Sequence, residues 1–172
     1  MKARRKARSL ALQALYEIDC ASHPPDEVLA ARLEEQPLNA ELEAFTRRLV
    51  VGVLEHTTDL DGLIHRHAPE WPLDQMAVID RNILRMAIWE FVVDGGTPTK
   101  VAINEAVELA KLFGSDSAPR FVNGVLGVLA AKESELARYF AKKKANALVQ
   151  SPSGIEKSQT PNSKPPTPIT NL

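Results

Sequence analysis

Lys2, Arg4, Arg5, Lys6 and Arg8 place five cations in the first eight residues with no acid among them, and an aromatic residue, Tyr16, follows about two helical turns later. Lys and Arg side chains neutralise phosphates and release condensed counter-ions. An exposed aromatic ring offers a face on which an unpaired base stacks, worth about 1–3 kcal/mol per base. The chemistry within reach of this end of the chain is capture of a polyanion. Catalysis leaves few traces elsewhere. His65 and His67 are two residues apart, which on a helix directs them to separate faces, and neither His23 nor His56 has metal-ligand spacing to a second histidine or to Cys20. Glu105, Glu108 and Lys111 share a helix face and read as solvated surface charges. There is no Walker loop, nucleophile elbow or dinucleotide-binding glycine pattern. Gly124 and Gly127 match the GxxG spacing of one backbone-clamping RNA module, but they lie inside an apolar helical stretch, where close helix packing is the simpler reading. These residues give acid/base catalysis and metal binding little support, and no cofactor is expected.

The charge layout sharpens that reading. Formal net charge is −1, yet the first eight residues carry +5 and residues 9–141, with 11 basic and 21 acidic residues, balance to −10. A polyanion is drawn to the first segment and repelled by the body.

A helix must display the strip. Ala7, Leu10, Ala11, Ala14, Leu15 and Ile18 recur at helical spacing as a buried face, and Arg5, Ser9, Leu12 and Tyr16 fall on a different stripe, outside the core. Pro24 and Pro25 break the chain before a short acidic helix over residues 26–36. Asn39 is placed as the N-cap of a helix burying Leu42, Phe45, Leu49 and Val53, and Thr57 or Thr58 caps one bearing Leu60, Leu63, Ile64 and His67. After Pro69 and Pro72, the residues Met76, Ile79, Ile83, Met86, Ala87 and Phe91 carry the period to Val93, with Trp89 off the stripe. Asp94, Gly95, Gly96 and Pro98 make a turn. A helix over residues 100–113 is expected to end on Gly114 as its left-handed residue. Ser117 and Pro119 then cap and open a last helix with Phe121, Val122, Val125, Leu126 and Leu129, in which Phe121 reads as core by period alone. No alternating β-branched run calls for a sheet, so the fold class is all-α.

Residues 1–140 form the expected helical domain. Residues 141–172 form an expected disordered tail: it opens on Lys142 to Lys144 and turns rich in Pro, Ser and Thr from Ser151, with too little apolar surface to offset ordering entropy of about 1–2 kcal/mol per residue. The single cysteine allows no internal disulfide and fits a reducing, cytoplasmic setting. No apolar run approaches the roughly 18 residues of a membrane span, and no signal peptide is expected.

Three segments together point to a family. Arg4-Arg5-Lys6-Ala7-Arg8 with Gln13-Ala14-Leu15-Tyr16, then Asp80-Arg81-Asn82-Ile83-Leu84-Arg85, then the run Lys100 to Lys111 (KVAINEAVELAK) with Phe113-Gly114 and Phe121-Val122-Asn123-Gly124-Val125-Leu126, resemble the NusB transcription antitermination factors over about residues 2–130. The resemblance implies an all-helical domain of about seven helices in two packed three-helix subdomains. It implies pairing with NusE, a small-subunit ribosomal protein, and binding of the single-stranded boxA element of ribosomal RNA leaders. Through these it implies indirect action on the RNA polymerase elongation complex, in the cytoplasm. Residue by residue, it places RNA contact on Lys2, Arg4, Arg5, Lys6, Arg8, Tyr16 and Phe121, and partner contact on Tyr16, Asp80 and Arg81. Ser117-Ala118-Pro119-Arg120 departs from the more polar stretch usual in the family, and Arg120 remains the RNA candidate there. The alternative for Asp80 is an intrahelical pair with Arg85. The alternative for the whole protein is an interaction module without RNA contact, or a homodimer that masks the basic helix.

Overall fold

The structure, a computed structural model, describes residues 2–149. Among them the chain is helical and has no strand: α1 (Lys2–Ala21), α2 (Pro25–Glu35), α3 (Ala40–Glu55), α4 (Thr57–His67), α5 (Val78–Ile88), continued by a π-helical turn (Trp89–Asp94), α6 (Thr99–Phe113), α7 (Ala118–Ala130) and α8 (Glu133–Val149). α1, α2 and α3 pack as one group and α5, α6 and α7 as another. α1 also lies against α5, and α4 bridges from α3 to α5 and α7. This matches the two three-helix subdomains expected, and their apolar faces merge into a single core.

Local chemistry explains most of the boundaries. The Asn39 side chain accepts from the Leu42 N–H at 2.9 Å and opens α3 as its N-cap. Proline supplies the first turn of α2 and of α7, where its missing N–H costs nothing. At the end of the π turn, Gly95 takes φ +67° and its N–H reaches the Glu90 carbonyl, five residues back, at 3.1 Å.

Several expectations are corrected. Gly114 closes α6 in an extended conformation, φ −90° and ψ −179°, not a left-handed one. It is required for space: a Cβ there would meet Ala118 Cβ at 2.6 Å and the Ala110 carbonyl at 2.8 Å. Ser117 is helical and makes no capping hydrogen bond. Gly124 and Gly127 are exposed, and a Cβ on either would meet nothing within 4 Å, so helix packing does not explain them. Leu12 is fully buried, because α1 is covered on more than one side by α2, α3 and α5. Trp89 is also core, its indole lying against Gly52 so closely that any side chain at position 52 would collide with it.

The helical part also runs past the expected boundary at residue 140. α8 buries Leu136 and Phe140 against the π turn, and Lys143 Nζ donates to Asp59 at 2.6 Å. The rest of the expected tail, from residue 150, lies outside the described residues.

Candidate nucleic-acid interface

The five cations of α1 divide into two sets, because successive helix positions are about 100° apart and the helix is packed on several sides. Lys2, Arg4 and Lys6 are exposed. Arg4 lies within 3.5 Å of Glu41, itself exposed, and its guanidinium sits 5.2 Å from the centre of the Phe45 ring.

Arg8 departs from the expected strip. Its side chain is only 3% exposed, and it meets the equally buried Glu90 in a two-pronged contact, Nη2 donating to Oε1 at 2.7 Å and Nε to Oε2 at 2.9 Å. Thr97 Oγ1 donates a third bond to Glu90 at 2.9 Å, and Glu105 lies 3.9 Å from Arg8 Nη1. Buried charges survive only when paired and hydrogen-bonded in this way. RNA contact through Arg8 is therefore withdrawn: the side chain ties α1 to the π turn.

Arg5 is intermediate. Its side chain is 33% exposed, and its Nε and Nη2 each donate to Glu105 at 2.9 Å, with Glu108 at 3.4 Å from Nη1. Glu105 is fully buried, so the reading of Glu105 and Glu108 as a solvated surface is corrected for the former. The Arg5 hydrogen bond, followed by the charges of Arg5 and Arg8, outweighs burial and holds the Glu105 carboxyl below its ordinary range.

Tyr16 is 44% exposed, on the outer side of α1 and available for stacking. One turn on, Asp19 faces α5. Burial would push its carboxyl up, but hydrogen bonds from Arg81 and Asn82 and the charges of Arg81 and Arg85 bring it below its usual range. Arg81 Nε donates to Asp19 at 3.0 Å, and Arg81 also reaches the Leu73 carbonyl, so its charge is engaged within the fold. Arg85 forks onto Asp61 at 2.7 and 2.8 Å. The proposed Asp80–Arg85 pair does not form. Asp80 is nearly buried, its Oδ1 has no hydrogen-bond partner, and desolvation pushes its carboxyl up.

At the start of α7, Arg120 is exposed. Phe121 is half-buried, packed on the core from one side and edge-on to Trp71 from the other, with ring centres 5.9 Å apart. The core reading of Phe121 thus holds in part, since the ring packs on the core while the residue keeps partial exposure. Trp71 was not singled out by sequence, since it sits in the proline-flanked link between α4 and α5 and shows no period. Glu90 and Thr97 were missed as well, because their partner Arg8 is remote in sequence.

The histidines are spread over separate contacts. His23 meets Glu17 at 3.0 Å, while His56 and His67 each approach a carbonyl one turn back in the chain. Among the described residues no helix is long and apolar enough to cross a membrane.

The described residues form an all-helical fold that keeps exposed cations and an accessible phenol ring on its first helix. The more specific assignment comes from comparison, and the chain belongs to the NusB family, whose model matches residues 5–131. The transcription antitermination protein NusB of Roseiflexus castenholzii is 51% identical over 134 residues, covering 77% of this chain and 94% of that protein. That of Chloroflexus aggregans is 48% identical over 145 residues, covering 83% and 93%. Among solved structures, NusB in a crystal structure of the antitermination factors NusB and NusE with double-stranded RNA superposes with a TM-score of 0.68. It is 26% identical, with 81% of this chain and 98% of that one covered. NusB of T. maritima gives a TM-score of 0.67 at 30% identity, covering 84% and 96%.

Proposed function

We propose that this chain is a transcription antitermination factor that acts without catalysis. It binds boxA-type single-stranded RNA of ribosomal RNA leaders together with a NusE-type ribosomal protein, and so bears indirectly on the RNA polymerase elongation complex in the cytoplasm. The observation that carries the reading is the outward display of Lys2, Arg4 and Lys6 on α1, with Tyr16 exposed further along, on a body whose charge is otherwise acidic. Those three cations supply the phosphate contacts. Arg5 adds a partial one at the edge of its ion pair, Tyr16 offers a stacking face, and Arg120 and Phe121 extend the path to α7. Partner contact is assigned to the Tyr16 end of α1 and the start of α5, where Asp80 and Arg81 lie.

Fluorescence anisotropy with a short boxA-like RNA, with and without the ribosomal partner and over a range of salt, tests this. Tight binding that needs the partner and weakens with salt is expected. Binding insensitive to salt, or unchanged when Lys2, Arg4 and Lys6 become glutamine, refutes it.

A further inference from the structure

The α1 strip has a counterpart on α8. Residues 136–149 carry Arg138, Lys142, Lys143 and Lys144 and no acid, on a body that is otherwise acidic. Lys143 is spent on Asp59. Arg138, Lys142 and Lys144 are exposed and have no ion-pair partner among the described residues, and the bond from Arg138 Nε to the Ser134 carbonyl at 3.1 Å leaves that charge uncompensated. At about 100° per residue, Arg138 and Lys142 fall on the side of α8 opposite the buried Leu136 and Phe140, with Tyr139 beside them. Tyr139 is 50% exposed, and its ring stands edge-on to that of Phe140, with centres 5.3 Å apart and planes at 88°. The ring is braced from below while much of it stays open to solvent, which suits a stacking platform.

A helix that is merely solvated needs neither an exposed ring nor a link to the rest of the interface, and α8 has both. Arg4 of α1 and Arg48 of α3 share the Phe45 ring, their guanidinium carbons 5.2 and 5.8 Å from its centre. Arg48, itself exposed, also stands on the wall of a groove between α3 and α8 that Lys144 lines from the α8 side. Cations therefore follow one another from the α1 strip over Phe45 and Arg48 to α8. Asp94, 3.6 Å from Arg48, and Glu55 and Asp59 bring acids to the groove itself, so an anion is held along the rim and the outer side of α8 rather than on the groove floor. An acidic protein surface would satisfy the lysines but makes no use of the exposed ring or of the cations leading back to α1. A single-stranded polyanion whose units carry flat rings uses both.

We propose that α8 is a second RNA-contacting strip, in which Arg138, Lys142 and Lys144 hold phosphates and Tyr139 stacks a base of the strand that continues past the α1 contact by way of Arg48. The inference rests on the RNA-binding reading above and lengthens the RNA that the protein engages.

The test uses the full chain with its ribosomal partner and three RNAs read by anisotropy: the short boxA-like RNA, and the same RNA extended by about twelve uridines on its 5′ or on its 3′ side. One of the two extensions is expected to tighten binding several-fold and to steepen the slope of log affinity against log salt by about 2, the share of three phosphate contacts to a single strand. Replacing Arg138, Lys142 and Lys144 together by glutamine should remove that gain and leave the affinity for the short RNA and the Tm unchanged. Tyr139→Ala should lose part of the gain, and Tyr139→Phe, which keeps the ring, should retain it. No gain from either extension, or a gain that survives in full either the triple substitution or Tyr139→Ala, overturns the inference while leaving short-RNA binding intact. A triple variant that loses the ribosomal partner in the absence of RNA assigns α8 to protein and also overturns it. No binding of the short RNA by the unsubstituted chain overturns the RNA-binding reading and this inference together.

Discussion

Arg8→Met separates a structural cation from a phosphate-binding one. The substitution keeps most of the apolar stem and removes the charge, leaving Glu90 buried with Thr97 as its remaining donor and with Glu105 nearby. Removing one partner of a buried ion pair costs about 3–5 kcal/mol, because the other charge is left uncompensated. For a fold of this size each kcal/mol lowers Tm by about 2–4 °C, so a fall of roughly 10 °C is expected in thermal unfolding followed by circular dichroism. RNA binding behaves differently. Each phosphate contact to a single strand contributes about 0.7 to the slope of log affinity against log salt. Below the new Tm, Arg8→Met should leave that slope unchanged, whereas replacing Lys2, Arg4 and Lys6 together by glutamine should reduce it by about 2 with little change in Tm. The double variant Arg8→Met/Glu90→Leu removes both charges and should recover most of the lost stability, since apolar replacement of a buried pair is often neutral. The reasoning fails if Arg8→Met unfolds at the wild-type temperature and loses about 0.7 of salt slope.

Acid should destabilise the fold. The carboxyls of Glu105, Asp19, Glu17 and Glu108 are all held below their ordinary values by hydrogen bonds, with Arg5, with Arg81 and Asn82, with His23 and Arg32, and with Lys111 respectively. Their contribution is full above the unfolded value near pH 4 and is lost as pH falls through the folded values, so Tm should drop steeply below about pH 4, and a flat Tm down to pH 3 would contradict the assigned pairs. Asp80 has the opposite sign. Its folded value is raised by burial, so the proton is held more tightly in the fold and stability is lost as pH rises through that value. Asp80→Asn should therefore raise Tm at pH 7, and a fall of several degrees would show an unseen partner. Gly124→Ala and Gly127→Ala, at exposed helical positions with open space around them, should each stabilise by about 1 kcal/mol in urea unfolding, and destabilisation by either would refute the assignment of free space.

The legible part of the sequence was much of what repeats or caps locally, the Ser117 cap and the Gly114 helix end excepted. Asn39 before an amphipathic run, proline ahead of α2 and α7 and the glycine pair after the π turn each act over a few residues, and the structure uses each of them. What was illegible depends on residues distant in sequence. Period alone set Leu12 and Trp89 outside the core, since one amphipathic stripe implies one buried face. In fact α1 is enclosed by three other helices, and the π turn lets Trp89 settle against Gly52. Gly114 looked like a conformational requirement and is a spatial one. α8 escaped notice because its apolar contacts are few, mainly Leu136 and Phe140, and its lysines resemble those of a solvated tail. Of the interface, the cationic strip and Tyr16 were visible as residue types, but which cations face outward was not. Trp71 left no trace, because a lone aromatic in a proline-flanked link has no period to read.

The partition of charge on α1 follows from that enclosure. A helix bearing +5 over its first eight residues would repel itself if every cation met solvent, and a helix buried on several sides has no room to point them all outward. Neutralising Arg5 and Arg8 with Glu105, Glu108 and Glu90 meets both constraints, and the same contacts lock α1 against α6 and the π turn. With Arg8 withdrawn and Arg5 left only partly exposed, the helix presents Lys2, Arg4 and Lys6 from a fixed base. A polyanion then meets cations whose backbone is already ordered, so that less of the binding energy is spent on ordering the helix itself. On the proposed RNA-binding reading the buried acids matter as much as the exposed bases: loosening Glu90 or Glu105 should weaken RNA capture through misplacement of α1, with no phosphate contact of their own to lose.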